Sequence, residues 1–396
     1  MNLYLFTENY PYGNIGDTPF LRQEINYLSQ EFNEIIVFPL SKDKVKHDLP
    51  NNVLVSNILI GTKIEKTTFI KLVKYIIFLV FNTDKTFFYL SNFRHYFYFY
   101  RLQLARFKKI QNIISRSTGT LFYSYWFSTM GLALFFANKK YGVKFISRAH
   151  GWDLYDDRDP KKHILFREVV IKRISKVYPI SKHGVNYLKN RIKAKYKPKI
   201  ELSYLGIPDP NIQKENKRRN EYRIISVARL QKIKNLQILP DILIHIKEKL
   251  TWVIIGDGPM REEIQIKSRN LPSNITIQLK GEKSNAEVLE YYRNNHIDLF
   301  VSLSISEGLP VSMMEAQSYG IPILSTNING IPEIVNEHTG ILIESETPFK
   351  DIAKKISQSL RTDWNTQIIQ NHYRTNFTAA KNYKEFTNSI KQIRCE

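Results

Sequence analysis

Apolar residues gather along the chain in two rhythms. Solid runs at 3–6, 34–40, 53–60, 121–125, 144–149, 177–180 and 200–204 read as short strands buried on both faces. Between them, 20–31, 68–81, 87–115 and 129–138 read as helices. Phe20, Leu21, Ile25 and Leu28 show the helical spacing of three or four residues. Ser181 caps a further helix. The alternation resumes with strands at 222–228, 251–255, 275–279, 297–303, 321–325 and 340–343, and helices at 235–249, 285–293, 310–319 and 349–360. Strand followed by helix, many times over, predicts a doubly wound α/β fold. Gly206-Ile-Pro-Asp-Pro210 breaks the pattern and 211–220 is polar. We therefore expect a first domain at 1–205, a linker at 206–221, a second domain at 222–375 and a helical segment at 376–396.

Composition changes this picture little. With 396 residues, 43% hydrophobic and 24% charged, the chain can build two cores and has no low-complexity tract. A single cysteine, Cys395, excludes an intramolecular disulfide and fits a reducing compartment. The first eight residues lack a basic n-region and read as a strand, not a signal peptide.

Charge changes it more. A net charge of +21 points to nucleic acid or an anionic membrane. From Lys85 to Trp152 there is no Asp or Glu. Arg94, Arg101, Arg106 and Lys108 share that stretch with Phe93, Tyr96, Phe97, Tyr98, Phe99 and Tyr100. Cations beside aromatic rings suit an anionic lipid headgroup interface. The plainer reading is a solvated basic face over a core helix. Residues 68–81 are strongly apolar but carry Lys71 and Lys74, too short and too charged to span a bilayer. They predict an amphipathic helix, half buried and half in lipid.

The densest candidate chemistry lies at 302–322. A strand ends there, Glu307-Gly308-Leu309 turns, and Pro310 opens a helix that Gly320 and Pro322 stop. A helix N-terminus beside a glycine offers N–H groups and a positive dipole end to phosphate. Glu307 stands at that mouth. Glu315 is eight positions on, about two turns, so the two carboxylates are expected on one face. A nucleotide-sugar answers to this set, with diphosphate for the N–H groups and hydroxyls for the carboxylates. The string Ser-x-x-Glu-Gly-Leu-Pro…Glu-Ala…Gly-x-Pro, with Glu307-x7-Glu315 inside it, resembles the signature of the retaining GT-B glycosyltransferases of family 4.

That resemblance implies two facing Rossmann-like domains with the donor in the cleft and the C-terminal helix crossing back to the first. It implies that Arg229 and Lys234, after the strand at 222–228, clamp the donor diphosphate and stabilise the leaving nucleoside diphosphate. Glu307 would position the sugar and favour positive charge at the anomeric carbon, and Glu315 would hold the ribose. Gly308, Leu309 and Pro310 belong to the same donor loop. Gly256 and Gly258 of Gly-Asp-Gly-Pro would line the nucleotide pocket, and Lys280 and Gly281 would lie by the base. In the first domain, His150 of Arg148-Ala-His-Gly-Trp-Asp153 would approach the donor sugar and its β-phosphate, against the plainer role of a satisfied core histidine. Gly16 would face the diphosphate and the acceptor, whereas Gly13 reads equally as a plain turn.

The implied reaction is a front-face displacement that needs no metal, no cofactor and no side-chain nucleophile. The donor would be UDP- or GDP-linked. Asp157-Arg-Asp159 matches a short metal-binding pattern but falls in a charged loop, not after a strand, and is set aside. Together with the basic surface, the resemblance predicts a cytoplasmic enzyme on the inner face of a bacterial membrane. It would extend a polyprenyl-diphosphate-linked glycan during capsule, polysaccharide or O-antigen assembly, with no nucleic-acid partner. Three rivals are an epimerase of the same fold, a nucleic-acid-binding protein that uses the excess charge, and a non-catalytic sensor of nucleotide-sugar.

Overall fold

A computed structural model describes residues 1–13, 17–212 and 221–393. The chain divides into two compact units, 1–203 with 383–396, and 204–382.

In the first unit six strands form one parallel sheet: β1 (Asn2–Thr7), β2 (Ile35–Pro39), β3 (Val53–Val55), β4 (Thr120–Ser124), β5 (Phe145–Ala149) and β6 (Lys176–Pro179). Their order is β3-β2-β1-β4-β5-β6, so the winding reverses between β1 and β4. Helices α1 (Thr18–Glu31), α2 (Phe69–Asn82), α3 (Thr86–Ser91), α4 (Phe93–Ile114), α5 (Gly131–Tyr141), α6 (Gly151–Leu154), α7 (Arg167–Arg173) and α8 (Lys182–Lys189) complete it up to residue 203. One core gathers Leu3, Leu5, Leu121 and Tyr123 with Leu21, Ile25 and Leu28 of α1. Phe386 and Ile390, late in the chain, belong to it. The other core is aromatic and joins Phe6, Phe38 and Phe122 to α2, α4 and α5.

Four expectations need correction here. The run at 200–204 is not a strand. Glu201 and Ser203 donate N–H groups to Val177 and Pro179, but the Ser203 carbonyl is taken by the buried Arg148 guanidinium at 2.9 Å. The run at 53–60 pairs only through β3 and then coils into a turn at Asn57–Leu59. The helix expected at 87–115 breaks at Asn92, whose side-chain amide donates to the Phe88 carbonyl at 3.1 Å. The aromatics of α4 are not an interface. Tyr96, Phe97 and Tyr100 are buried, Phe93 and Phe99 pack against the core, and only Tyr98 is exposed. Positions 93, 96, 97 and 100 make one helical stripe, and that stripe faces inward.

The second unit repeats the plan with β7 (Tyr222–Val227), β8 (Leu250–Ile255), β9 (Ile275–Leu279), β10 (Leu299–Ser302), β11 (Ile323–Thr326) and β12 (Gly340–Ile343). All pairs are parallel, in the order β12-β11-β10-β7-β8-β9, and the reversal falls between β7 and β10. Its helices are α9 (Leu239–Leu243), α10 (Arg261–Ser268), α11 (Asn285–Asn294), α12 (Val311–Ser318), α13 (Phe349–Arg361) and α14 (Thr366–Phe377), and α15 (Ala379–Lys391) comes after them. The helix expected at 235–249 is mostly absent. Asn235 sits in the left-handed region at φ 55°, and Pro240, in the first turn of the five-residue α9, keeps that helix from starting earlier. Part of the expected linker is built into this unit. Ile207 bridges Thr378, and Tyr373 donates its hydroxyl to the Ile207 carbonyl at 2.8 Å. Among the described residues no helix is long and apolar enough to cross a membrane.

Candidate functional site

Parallel sheets of this kind open a crevice beyond the carboxyl ends of their strands, where the winding reverses. In the second unit that point lies between β7 and β10. Arg229 and Lys234 follow β7, and Glu307 follows β10.

The segment after β7 is held from below by the turn after β8. The Leu230 N–H donates to the Asp257 carbonyl at 2.9 Å, and the Leu230 carbonyl accepts from Met260 at 2.9 Å. The approach is close enough to require glycine. Gly256 has φ +137° and a Cβ there would lie 2.0 Å from the Ala228 carbonyl oxygen. Gly258 has φ +153° and its Cβ would meet the Leu230 oxygen at 2.6 Å. The Gly256 N–H donates to the Gly281 carbonyl at 2.8 Å, which ties in the turn after β9. Lys280, just before it, is exposed and donates its backbone N–H to Ile254 at 2.9 Å. The three loops thus hold Arg229 outward, exposed and with no ion pair among the described residues.

Lys234 and Glu307 meet directly. The ammonium donates to Glu307 Oε1 at 2.5 Å, and Ser304 Oγ donates to the same oxygen at 2.8 Å. Thr326 donates to the Ser304 carbonyl at 2.6 Å. Asn329, strained at φ 46°, donates its side-chain amide to the Glu307 carbonyl at 2.9 Å. The Ile305 N–H reaches the Ile233 carbonyl at 2.8 Å, so the two loops are laced through their backbones as well. Glu307 is buried, and its two donors set where the carboxylate points.

The expected geometry of the two acids changes. Glu307 and Gly308 lie in the turn ahead of α12, and Pro310 is extended at the cap with ψ 112° instead of opening the first helical turn. Glu307 and Glu315 therefore do not share a helical face, and among the described residues no hydrogen bond joins them. Leu309 and Pro310 are buried and pin the turn. Glu315 is buried on α12 and accepts from Asn285 Nδ2 at 2.6 Å. Burial pushes its carboxyl up to about 7, against the smaller opposing effect of that amide.

In the first unit His150 follows β5 and caps α6. Its backbone N–H donates to Asp153 Oδ1 at 2.6 Å, while the other carboxylate oxygen accepts from the Phe127 N–H. Burial raises Asp153 to about 7, opposed by the backbone N–H groups of His150, Phe127 and Ser128. The His150 ring lies 4.2 Å from Trp126 and 4.8 Å from Tyr125, centroid to centroid. Both ring nitrogens are buried without a hydrogen-bond partner among the described residues. Burial, then the charge of Arg148, holds this imidazole well below its usual range, hence neutral. Arg148 itself pairs with Glu24 at 3.0 Å, both fully buried, and lies over the Phe386 ring at 3.9 Å. Gly16 falls outside the described residues. Asp17, next to it, accepts the N–H groups of Glu8, Asn9 and Tyr10 at 2.5 to 3.0 Å and ties the loop after β1 to the start of α1. Of the set-aside pair, Asp159 caps the Lys161 N–H at 2.7 Å and faces His95 at 3.8 Å.

Sequence reasoning assigned no role to Ser304, Asn285, Asp153 or Asp17. Ser304 was visible as the Ser of Ser-x-x-Glu. Asn285 and Asp17 carry no local signal, because what they hold is remote or is backbone.

Residues 209–381 match the family described as glycosyl transferases group 1. The O-antigen biosynthesis glycosyltransferase WbnH of Escherichia coli is 28% identical over 204 residues, 51% of this chain and 56% of the relative. The chain spans between 36% and 56% of the length of the first curated relatives it matches. Among solved structures it is similar to the lipopolysaccharide outer core galactosyltransferase WaaB in its apo form, with a TM-score of 0.72 at 16% identity over 99% of both chains. It is also similar to Anabaena HepE in complex with UDP, with a TM-score of 0.66 at 14% identity over 99% of this chain and 100% of that one. These likenesses show the fold, which is GT-B.

Proposed function

Since this chain carries a glycosyl transferases group 1 domain at 209–381, we propose that it is a retaining glycosyltransferase of the family 4 type. It moves a sugar from a UDP- or GDP-linked donor to a polyprenyl-diphosphate-linked glycan in capsule, polysaccharide or O-antigen assembly. The observation that carries the reading is the Lys234–Glu307 pair at the strand-order reversal, with Arg229 exposed in the same segment after β7. Arg229 and Lys234 together meet a diphosphate. Glu307, its carboxylate already oriented, meets the sugar. Glu315 meets ribose hydroxyls and His150, neutral, donates or accepts one hydrogen bond near the transferred sugar.

In the reaction the anomeric carbon–phosphate oxygen bond breaks and the acceptor oxygen bonds the same carbon on the same face. The acceptor proton passes to the departing phosphate oxygen. Arg229 and Lys234 stabilise the charge gathering on the nucleoside diphosphate. No side chain forms a covalent bond, and the step needs no metal. The protein works in the cytoplasm on the inner face of the membrane. HepE, similar in fold, was solved with UDP, which supports a nucleotide donor.

The test is a panel of UDP- and GDP-sugars, first by thermal shift, then in turnover with lipid-linked acceptors. Transfer with the donor's anomeric configuration retained in the product is expected. Epimerised donor without acceptor, or no donor response across the panel, would overturn the proposal.

A further inference from the structure

A surface helix of a globular protein ordinarily turns polar residues outward. α2 does not. Its inner face buries Tyr75, Phe78 and Leu79, with Tyr75 ring centroids 5.1 Å from both Phe97 and Tyr100 of α4. Its outer face is apolar too. Phe69, Phe81 and the neighbouring Phe87 of α3 are 78% to 85% exposed, and Ile70, Ile77 and Val80 between 50% and 65%. At 14 residues α2 is about 21 Å long, short of the roughly 30 Å a bilayer core demands. An open apolar stripe of this kind marks a docking surface.

The charges around it select the partner. A groove between α2 and α4, walled by Tyr100 and Leu104, brings together Lys71, Lys74, Arg101 and Lys108. The one acid there, Glu65, pairs with Lys71 at 2.8 Å and Lys108 at 3.0 Å. Between residues 63 and 108 the only acids are Glu65 and Asp84, against Lys63, Lys66, Lys85, Arg94 and Arg106 besides the groove cations. A second copy laid on this stripe would bring like charges together. An anionic bilayer would bury the apolar side chains and neutralise the rim.

We propose that α2, extended by Phe87, is an in-plane anchor that lies in the surface of an anionic membrane, with the α2–α4 groove facing lipid phosphate. The proposal rests on the reading that the acceptor is lipid-linked, and it moves the contact from the α4 aromatics to α2.

Flotation with vesicles of phosphatidylglycerol and phosphatidylcholine, against phosphatidylcholine alone, tests it with the full chain. Wild type should float with the anionic vesicles. Ile77→Glu/Phe81→Glu should cut the bound fraction at least about tenfold, and Lys74→Gln/Arg101→Gln should cut it and lessen its salt dependence. Both variants alter exposed or rim side chains, so circular dichroism should match wild type. As a second reading, Ile77→Cys in a Cys395→Ser background, labelled with an environment-sensitive dye, should shift blue on anionic vesicles only. Equal flotation of wild type and variants, equal recovery from neutral vesicles, an unshifted dye, or a dimer dissolved by Ile77→Glu would each overturn the anchor. Sugar transfer to a soluble acceptor analogue is measured without vesicles. Its persistence beside failed flotation would sink the anchor alone, and its absence beside normal flotation would sink only the transferase reading.

Discussion

Replacing Glu315 by Gln should stabilise this protein in alkali while weakening its hold on a nucleotide-sugar. The Glu315 carboxyl is buried, with the Asn285 amide at 2.6 Å as its polar contact, and its folded pKa is pushed up to about 7 from 4.5. The folded state therefore holds a proton that the unfolded chain has released between those two values. Stability falls as pH rises through that window, by at most about 1.4 kcal/mol per pH unit, and flattens above 7. The whole interval amounts to about 3 kcal/mol, an upper limit because the chain around Glu315 can relax. Gln keeps the volume and the acceptor that Asn285 needs, yet has nothing to ionise. Urea midpoints followed by tryptophan fluorescence at pH 4.5, 6 and 8 make the comparison. Asp153, also near 7, titrates in both proteins and cancels in the difference. We expect near-equal stability at pH 4.5 and a Gln variant about 2 to 3 kcal/mol ahead at pH 8. At pH 8, where Glu315 is ionised, the same variant should bind donor about tenfold more weakly, since a neutral amide accepts ribose hydroxyls less well than a carboxylate. Parallel pH curves for the two proteins would refute the assignment of burial as the governing cause.

Arg229→Ala should fold with an unchanged melting temperature, because the side chain is exposed. Calorimetric titration with UDP and GDP should show about 10- to 100-fold weaker binding of the base the protein uses. Gly256→Ala forces a Cβ onto the Ala228 oxygen at φ +137° and should cost at least about 2 kcal/mol in urea midpoints. Gly142→Ala, with φ +72° and open space around it, should cost about 1 kcal/mol. His150 stays neutral when buried, so below about pH 6.5 the unfolded chain takes up a proton that the folded protein refuses, and stability is lost as pH falls. In His150→Gln this acid-side slope should lessen, read from the same denaturation series at pH 5 to 7. Arg148→Met leaves Glu24 buried and unpaired and should cost about 3 kcal/mol or more by thermal and urea unfolding, with Glu24→Gln/Arg148→Met recovering part of it.

Local order along the chain determined most of the elements. Strand and helix periods come from backbone geometry, so β7, β8 and β10, and the helices α11 and α12 on either side of β10, were legible as patterns, whereas α9 was expected far too long and α10 was not expected. The Glu307–Glu315 string and the Gly-Asp-Gly turn were legible as a family resemblance. Tertiary structure decided what each group does. Ser284-x-x-Glu287 and Ser304-x-x-Glu307 have the same spacing. The first is a capping box on α11, and the second is a side-chain bond ahead of α12 inside the Lys234 pair. The α4 aromatics and the outer apolar residues of α2 look alike in sequence, yet most of the first set is core and the second lies open, because only packing says which face of a helix is covered. Arg148 and Glu24 are 124 residues apart and Asn285 and Glu315 are 30 apart. Burial and pairing are long-range properties, and they set both the charge a group carries and the cost of keeping it.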